Sequence, residues 1–178
     1  STVLKKAAYR LAVLVGLRYV RAGQGTKERF LWSLLYWPLY GLVLYHLKRQ
    51  LGLERVRYAV CAAAPASPEL FEYFNALGVP LREGYGQTES TGVIALQRID
   101  RPRWGYVGEP VPGMEVKIDD DGEILTRGPG VFKGYFKDPE LTASTVKDGW
   151  LHTGDVGALE DGFIKILSDA TTDAVLGV

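Results

Sequence analysis

The residues best suited to chemistry lie in one short run, Gly84-Tyr85-Gly86-Gln87-Thr88-Glu89-Ser90. Glycines on either side of the ring let the backbone turn tightly and let a ligand come close. The Tyr85 ring presents a flat face on which a purine can stack. The Thr88 hydroxyl can donate to a phosphate oxygen, and the Glu89 carboxylate is the hard oxygen ligand that a phosphate-bound Mg²⁺ takes. By composition alone, an ordinary polar turn accounts for the run more readily than a site does. A second candidate is Asp155, which follows Thr153-Gly154; a carboxylate there can accept from both hydroxyls of a ribose.

Other reactive side chains read more plainly. Cys61 sits in an apolar run with no cation beside it to generate a thiolate, and is expected to be a small core residue. Asp119-Asp120-Asp121 lacks the glycine and distal glutamate of a calcium loop and reads as a turn. Trp104 and Trp150, each beside a glycine, are expected to pack. His152 has the titration range of a general base.

The elements that position these residues follow from periodicity and punctuation. Lys5 to Tyr19 has helical spacing, and Arg21 to Thr26 is a glycine-rich break. Phe30 to Leu47 is strongly apolar, with Lys27 and Arg29 before it and Lys48 and Arg49 after it. Its length only just reaches the roughly 18 residues of a membrane span. Pro38 is expected to split it into two short helices, buried or lying at a membrane surface. Arg57 to Cys61 reads as a buried strand, and Ser67-Pro68 opens a helix to about Leu77 that Gly78 ends. Val79 to Arg82 returns as a strand into the Gly84–Ser90 loop, completing a strand–helix–strand unit. Beyond Gly92 come hairpins at Asp119–Gly122 and at Glu160-Asp161-Gly162, with a short helix capped by Asp138 between them. The expected fold is mixed α/β, a parallel-type sheet section followed by an antiparallel, barrel-like one. The expected segments are a helical, apolar 1–50, a βαβ-like 51–98, an antiparallel 99–167 and a tail, 168–178.

Composition narrows the classes. The 178 residues carry 21 Lys plus Arg against 21 Asp plus Glu, so no basic surplus points to nucleic acid. A single cysteine excludes an internal disulfide framework and suits a reducing, cytoplasmic compartment. The chain opens on Ser1 with no cleavable signal pattern, and is expected to be a central piece of something longer.

Tyr85-Gly86-Gln87-Thr88-Glu89 resembles the Tyr-Gly-x-Thr-Glu motif of the AMP-forming adenylate synthetases, which include acyl-CoA synthetases, adenylation domains and luciferases. Three further stretches resemble the family in order and spacing. Ala62-Ala63-Ala64-Pro65 is similar to its adenine loop, and Gly105 to Gly113 to its glycine-proline crossover. Gly149-Trp150-Leu151-His152-Thr153-Gly154-Asp155 is similar to its Gly-Trp-x-x-Thr-Gly-Asp. The resemblance runs from about Leu51 to Leu167, and its wording is most like that of long-chain fatty-acid CoA ligases. It implies part of the large N-terminal domain of an adenylate-forming enzyme that uses ATP, Mg²⁺ and coenzyme A. A fatty-acid carboxylate would join the α-phosphate of ATP and expel pyrophosphate, after which the thiol would displace AMP.

By the resemblance, Ala62, Ala63, Ala64 and Pro65 pass close to adenine and Tyr85 stacks on it. Gly86 and Gln87 complete the loop, Thr88 holds phosphate, Glu89 holds Mg²⁺ and Asp155 binds the ribose. His152 falls where the motif varies and is not expected to be catalytic. Phe30–Leu47 would touch a membrane peripherally and help a water-insoluble fatty acid reach the site. Two positions depart from the pattern: Ala62 stands where glycine is frequent, and Ala170 where the hinge arginine belongs after Asp169 in the fit. The alternatives are a ligase that delivers its acyl group to a carrier protein, and a catalytically lapsed homologue that binds acyl groups or nucleotides.

Overall fold

The computed structural model describes residues 2–22, 26–64 and 66–168. The chain forms two compact units, Ser1–Val60 with Ala66–Arg82 and Cys61–Pro65 with Glu83–Val178.

In the first unit, α1 spans Thr2–Arg21 and α2 Lys27–Leu39. The Thr26 hydroxyl caps α2 by accepting the Arg29 backbone N–H at 3.1 Å. The expected break at Pro38 does not occur. The chain continues through a π turn, Tyr40–Leu44, into α3, Tyr45–Gln50. Pro38 removes one donor, but the widened turn just after it lets the Tyr45 N–H reach the Tyr40 carbonyl, so the helix bonds on past the proline. The core of this unit joins Ala12 and Val15 of α1 to Tyr36, Leu44 and Leu77. Tyr36 stacks on Tyr19 with ring centroids 4.3 Å apart and donates its hydroxyl to the Ala76 carbonyl at 3.2 Å. Burial pushes the Tyr36 phenol far up. Lys48 is buried, and its ammonium donates to the Gly78 carbonyl at 2.6 Å. The opposite face of the long helix leaves Phe30, Leu31, Leu34, Trp37 and Leu42 exposed.

Strand β1 (Ala59–Cys61), helix α4 (Pro68–Ala76) and strand β2 (Leu81–Tyr85) form the expected strand–helix–strand unit. Ser67 precedes α4 with Pro68 in its first turn, as read from the sequence. The Ala59 N–H donates to the Pro80 carbonyl at 3.2 Å, so β1 and β2 start side by side. β1 is shorter and less buried than expected: Val60 is 49% exposed and Cys61 only half-buried. Among the described residues, β1 ends the strand order of its sheet, next to β2.

In the second unit, the end of β2 pairs antiparallel with β3 (Ala95–Leu96), and β3 with β4 (Glu109–Pro110). A second sheet holds β5 (Glu115–Ile118), β6 (Glu123–Arg127), β7 (Val146–Lys147), β8 (Trp150–Glu160) and β9 (Phe163–Ser168). Its order is β5-β6-β8-β7 with β9 also on β8. Both expected hairpins form, one between β5 and β6 and one between β8 and β9. Asp161 and Gly162, at φ 53° and 83°, make the latter turn of the mirror-image kind that matches strand twist. The antiparallel section is an open sheet and does not close. Its core gathers Ala95, Val107, Ile124 and Ile164. α5 (Pro139–Thr145) is capped by Asp138, whose carboxylate accepts the Leu141 N–H at 2.9 Å.

Candidate functional site

Gly84 and Tyr85 are strand residues, paired with Leu96 and Ala95, so the loop read from the sequence begins only at Gly86. A side chain at Gly86 would place its Cβ 2.5 Å from the Gly92 carbonyl oxygen, so only glycine fits where the loop folds back on itself. Thr88–Ser90 then forms a single 3₁₀ turn. Buried Ser90 closes it: its hydroxyl accepts the Gln87 N–H at 3.0 Å and donates to the Gln87 carbonyl at 2.8 Å. This turn fixes Thr88 and Glu89. The Thr88 hydroxyl is exposed and makes no hydrogen bond to a described residue. Glu89 is half-buried; its Oε1 accepts the Tyr135 hydroxyl at 2.6 Å and its carbonyl accepts the Phe132 N–H at 2.8 Å. The carboxylate pushes the Tyr135 phenol up, because the bond favours the protonated hydroxyl.

Asp155 lies within β8. His152 pairs with Leu125 and Val156 with Glu123, so Thr153, Gly154 and Asp155 together face Ile124. This bulge has Gly154 at φ 77°, a conformation that glycine adopts freely. Side chains hold it: Thr153 Oγ1 donates to the Ile124 carbonyl at 2.7 Å, and Glu123 Oε1 accepts the Gly154 N–H at 2.7 Å. The second Glu123 oxygen accepts His152 Nδ1–H at 2.7 Å, which gives His152 a supporting position. The bulge aims Asp155, only 8% exposed, so that its Oδ2 accepts the Tyr85 hydroxyl at 2.6 Å. The Tyr85 ring packs beside the core of this unit.

The second unit thus gathers Tyr85, Gly86, Gln87, Thr88, Glu89 and Asp155. Ala62, Ala63 and Ala64 are exposed, with Ala63 in the left-handed region at φ 72°, while Pro65 lies outside the described residues. Asp169 and Ala170 also lie outside them. Asp119–Asp121 is the β5–β6 turn, where Asp121 Oδ1 accepts the Glu123 N–H at 3.0 Å. Trp150 packs with Lys117 and Arg127 over its ring, at 4.7 and 4.6 Å from the centroid. Three residues of this region went unnoticed in the sequence. Glu123 and Tyr135 act on partners far along the chain. Glu83, two residues before Tyr85, is held by burial at about 7, well above the ordinary carboxylate range.

A β-strand leading into a glycine-bracketed turn, with a distant aspartate brought onto its tyrosine, fits a nucleotide-binding enzyme domain. The chain belongs to the family of AMP-binding enzymes, whose family model matches residues 22–136. Long-chain-fatty-acid–CoA ligase FadD15 of Mycobacterium tuberculosis is 40% identical over 126 residues, which cover 70% of this chain and 21% of that protein. Human long-chain-fatty-acid–CoA ligase 1 is 41% identical over 140 residues, covering 71% and 20%. The chain therefore spans about a fifth of these curated relatives. Among solved structures, o-succinylbenzoate CoA synthetase from Bacillus subtilis, in complex with ATP and magnesium ion, matches with a TM-score of 0.64. It is 28% identical, and the match covers 79% of this chain and 32% of that one. The large domain of adenylate-forming enzymes is the fold that this mixed α/β chain partly represents.

Proposed function

We propose that this chain carries one wall of the nucleotide site of an AMP-forming fatty-acid–CoA ligase. The observation that carries the reading is the Tyr85–Asp155 hydrogen bond, 2.6 Å long, which joins two motifs 70 residues apart beside the Thr88–Ser90 turn. Tyr85 would face the adenine, with Ala62, Ala63, Ala64 and Pro65 as the adenine loop and Gly86 and Gln87 shaping the turn. Asp155 would take the ribose hydroxyls and Thr88 a phosphate oxygen.

The donor set suits Mg²⁺. Glu89 offers a half-buried hard oxygen beside the exposed Thr88 hydroxyl, and among the described residues no group of three metal-ligating side chains exists. One carboxylate with the rest of the shell from phosphate and water is how Mg²⁺ is commonly held with nucleotides. When bound, the ion would neutralise charge on the leaving pyrophosphate. Thr88 and Glu89 contribute by orientation and charge, with no covalent role. The fatty-acid substrate and coenzyme A as acceptor rest on the relatives' names; a carrier-protein acceptor is the rival within the family. Ala170, in place of the hinge arginine, favours the lapsed nucleotide-binding homologue as second reading. A cytoplasmic enzyme touching membranes through Phe30–Leu47 completes the proposal.

The test is ATP–pyrophosphate exchange by the full-length protein. Glu89→Ala should lose several kcal/mol of metal-assisted stabilisation and with it measurable exchange. Exchange at the parent rate would refute the assignment, and no exchange by the parent protein would favour the lapsed homologue.

A further inference from the structure

The Tyr135 hydroxyl meets one oxygen of Glu89 at 2.6 Å, and the other oxygen has no hydrogen bond to a described residue. A carboxylate with one oxygen occupied by a fixed donor has its rotation arrested, and its free oxygen points in a set direction. Tyr135 is itself fixed from several sides. Its N–H donates to Thr142 Oγ1 at 2.9 Å, and that hydroxyl donates to the Asp138 carbonyl at 2.7 Å, tying it to the start of α5. Its ring meets Phe132 edge-on, with centroids 4.8 Å apart. Phe132 donates its N–H to the Glu89 carbonyl, and Thr91 donates its hydroxyl to the Gly130 carbonyl, so the segment from Gly130 to Tyr135 clasps the 3₁₀ turn from one side.

We propose that Tyr135 is a positioning residue for the metal carboxylate: its hydroxyl holds Glu89 Oε1 so that Oε2 is presented to a nucleotide-bound divalent cation. This rests on the metal-binding reading of Glu89. Partners that orient a metal ligand typically change metal affinity by about 10- to 100-fold when removed. The rest of the clasp sets the height of the turn; the hydroxyl sets the direction of the carboxylate.

The experiment uses the full-length protein with Mn²⁺ and α,β-methylene-ATP, which cannot be adenylated through, and reads bound Mn²⁺ by water-proton relaxation. Tyr135→Phe keeps the ring against Phe132 and removes only the hydroxyl. It should raise the Mn²⁺ dissociation constant about tenfold without lowering Tm. Phe132→Leu loosens the packing yet keeps the hydroxyl, and should leave Mn²⁺ affinity within about twofold of the parent. Tyr135→Phe added to Glu89→Gln should cost nothing further, since the group it orients is already gone. An unchanged dissociation constant in Tyr135→Phe, beside a weakened one in Glu89→Gln, overturns the positioning role alone. Equal weakening by Phe132→Leu also overturns it, because packing would then be the cause. If Glu89→Gln itself binds Mn²⁺ normally, the metal reading fails and the proposal with it.

Discussion

Tyr85 and Asp155 share a short hydrogen bond at a carboxylate that is 8% exposed, so the aspartate already has one fixed neighbour and a set orientation before any ligand arrives. A ribose diol bonded to an ionised carboxylate is worth about 1.5–3 kcal/mol per hydrogen bond. Asp155→Ala in the full-length protein should therefore raise the KM for ATP about tenfold or more while moving the KM for fatty acid little. Equal changes in both would place Asp155 elsewhere in the reaction. Glu83 lends itself to a different measurement. Burial raises its folded-state value to about 7, above the unfolded value of 4.5. The folded state thus binds the proton more tightly than the unfolded one. Stability is unaffected by this group below about pH 4.5 and falls as pH climbs through about 7. Glu83→Gln should match the parent at pH 4 and exceed it at pH 8, as read by urea unfolding at both. Parallel stability–pH curves would show that Glu83 is solvated.

At the scale of elements, the helix Lys27–Gln50 is 24 residues long and passes by length and composition as a membrane span. The packing on its other face argues against crossing. Tyr36, Leu44 and Lys48 are buried in the first unit, and Lys48 and Tyr36 are bonded to the Gly78 and Ala76 carbonyls. A span would strip those contacts and leave the Gly78 and Ala76 carbonyls without these donors. Basic residues at both ends and exposed Phe30, Leu34 and Trp37 suit an interfacial position. The full-length protein should leave membranes in alkaline carbonate, with both ends of this helix open to protease from one side. Retention in carbonate with ends on opposite sides would demonstrate a span.

At the scale of the molecule, the chain corresponds to about a fifth of its curated relatives, and the proposed function gives it one side of a nucleotide site. Catalysis by charge stabilisation requires donors placed all around the charge that develops. The 178-residue polypeptide expressed by itself should thus make no acyl-CoA from ATP, fatty acid and coenzyme A, and should bind nucleotide weakly. Its exposed apolar residues, Val3, Leu4, Phe30, Leu31 and Leu42 among them, also favour aggregation. Coupled pyrophosphate release on monomeric polypeptide is the measurement. Sustained turnover that Glu89→Ala abolishes would show that the one wall suffices.

The sequence by itself determined the features that act over a few residues. Ser67-Pro68 and Asp138-Pro139 start helices, the second with a capping carboxylate and the first by proline alone without a side-chain cap bond, and Asp161-Gly162 turns a hairpin, because φ preferences and such caps act within a turn of chain. The Tyr-Gly-x-Thr-Glu and Thr-Gly-Asp motifs were legible too, since their residue types and spacing are local. Local rules misjudged Pro38, where a π turn two residues later kept the helix continuous. Only the tertiary structure decided which side chains meet. Asp155 reaches Tyr85 because three residues of β8 bulge opposite Ile124, with the Gly154 N–H held by Glu123 across the sheet. Glu89 is oriented by Tyr135, 46 residues away, because the chain before α5 folds back on the 3₁₀ turn. Such meetings depend on strand register and on where a loop comes to rest, and a one-residue slip would undo them. Neither quantity is written in the neighbourhood of any single residue.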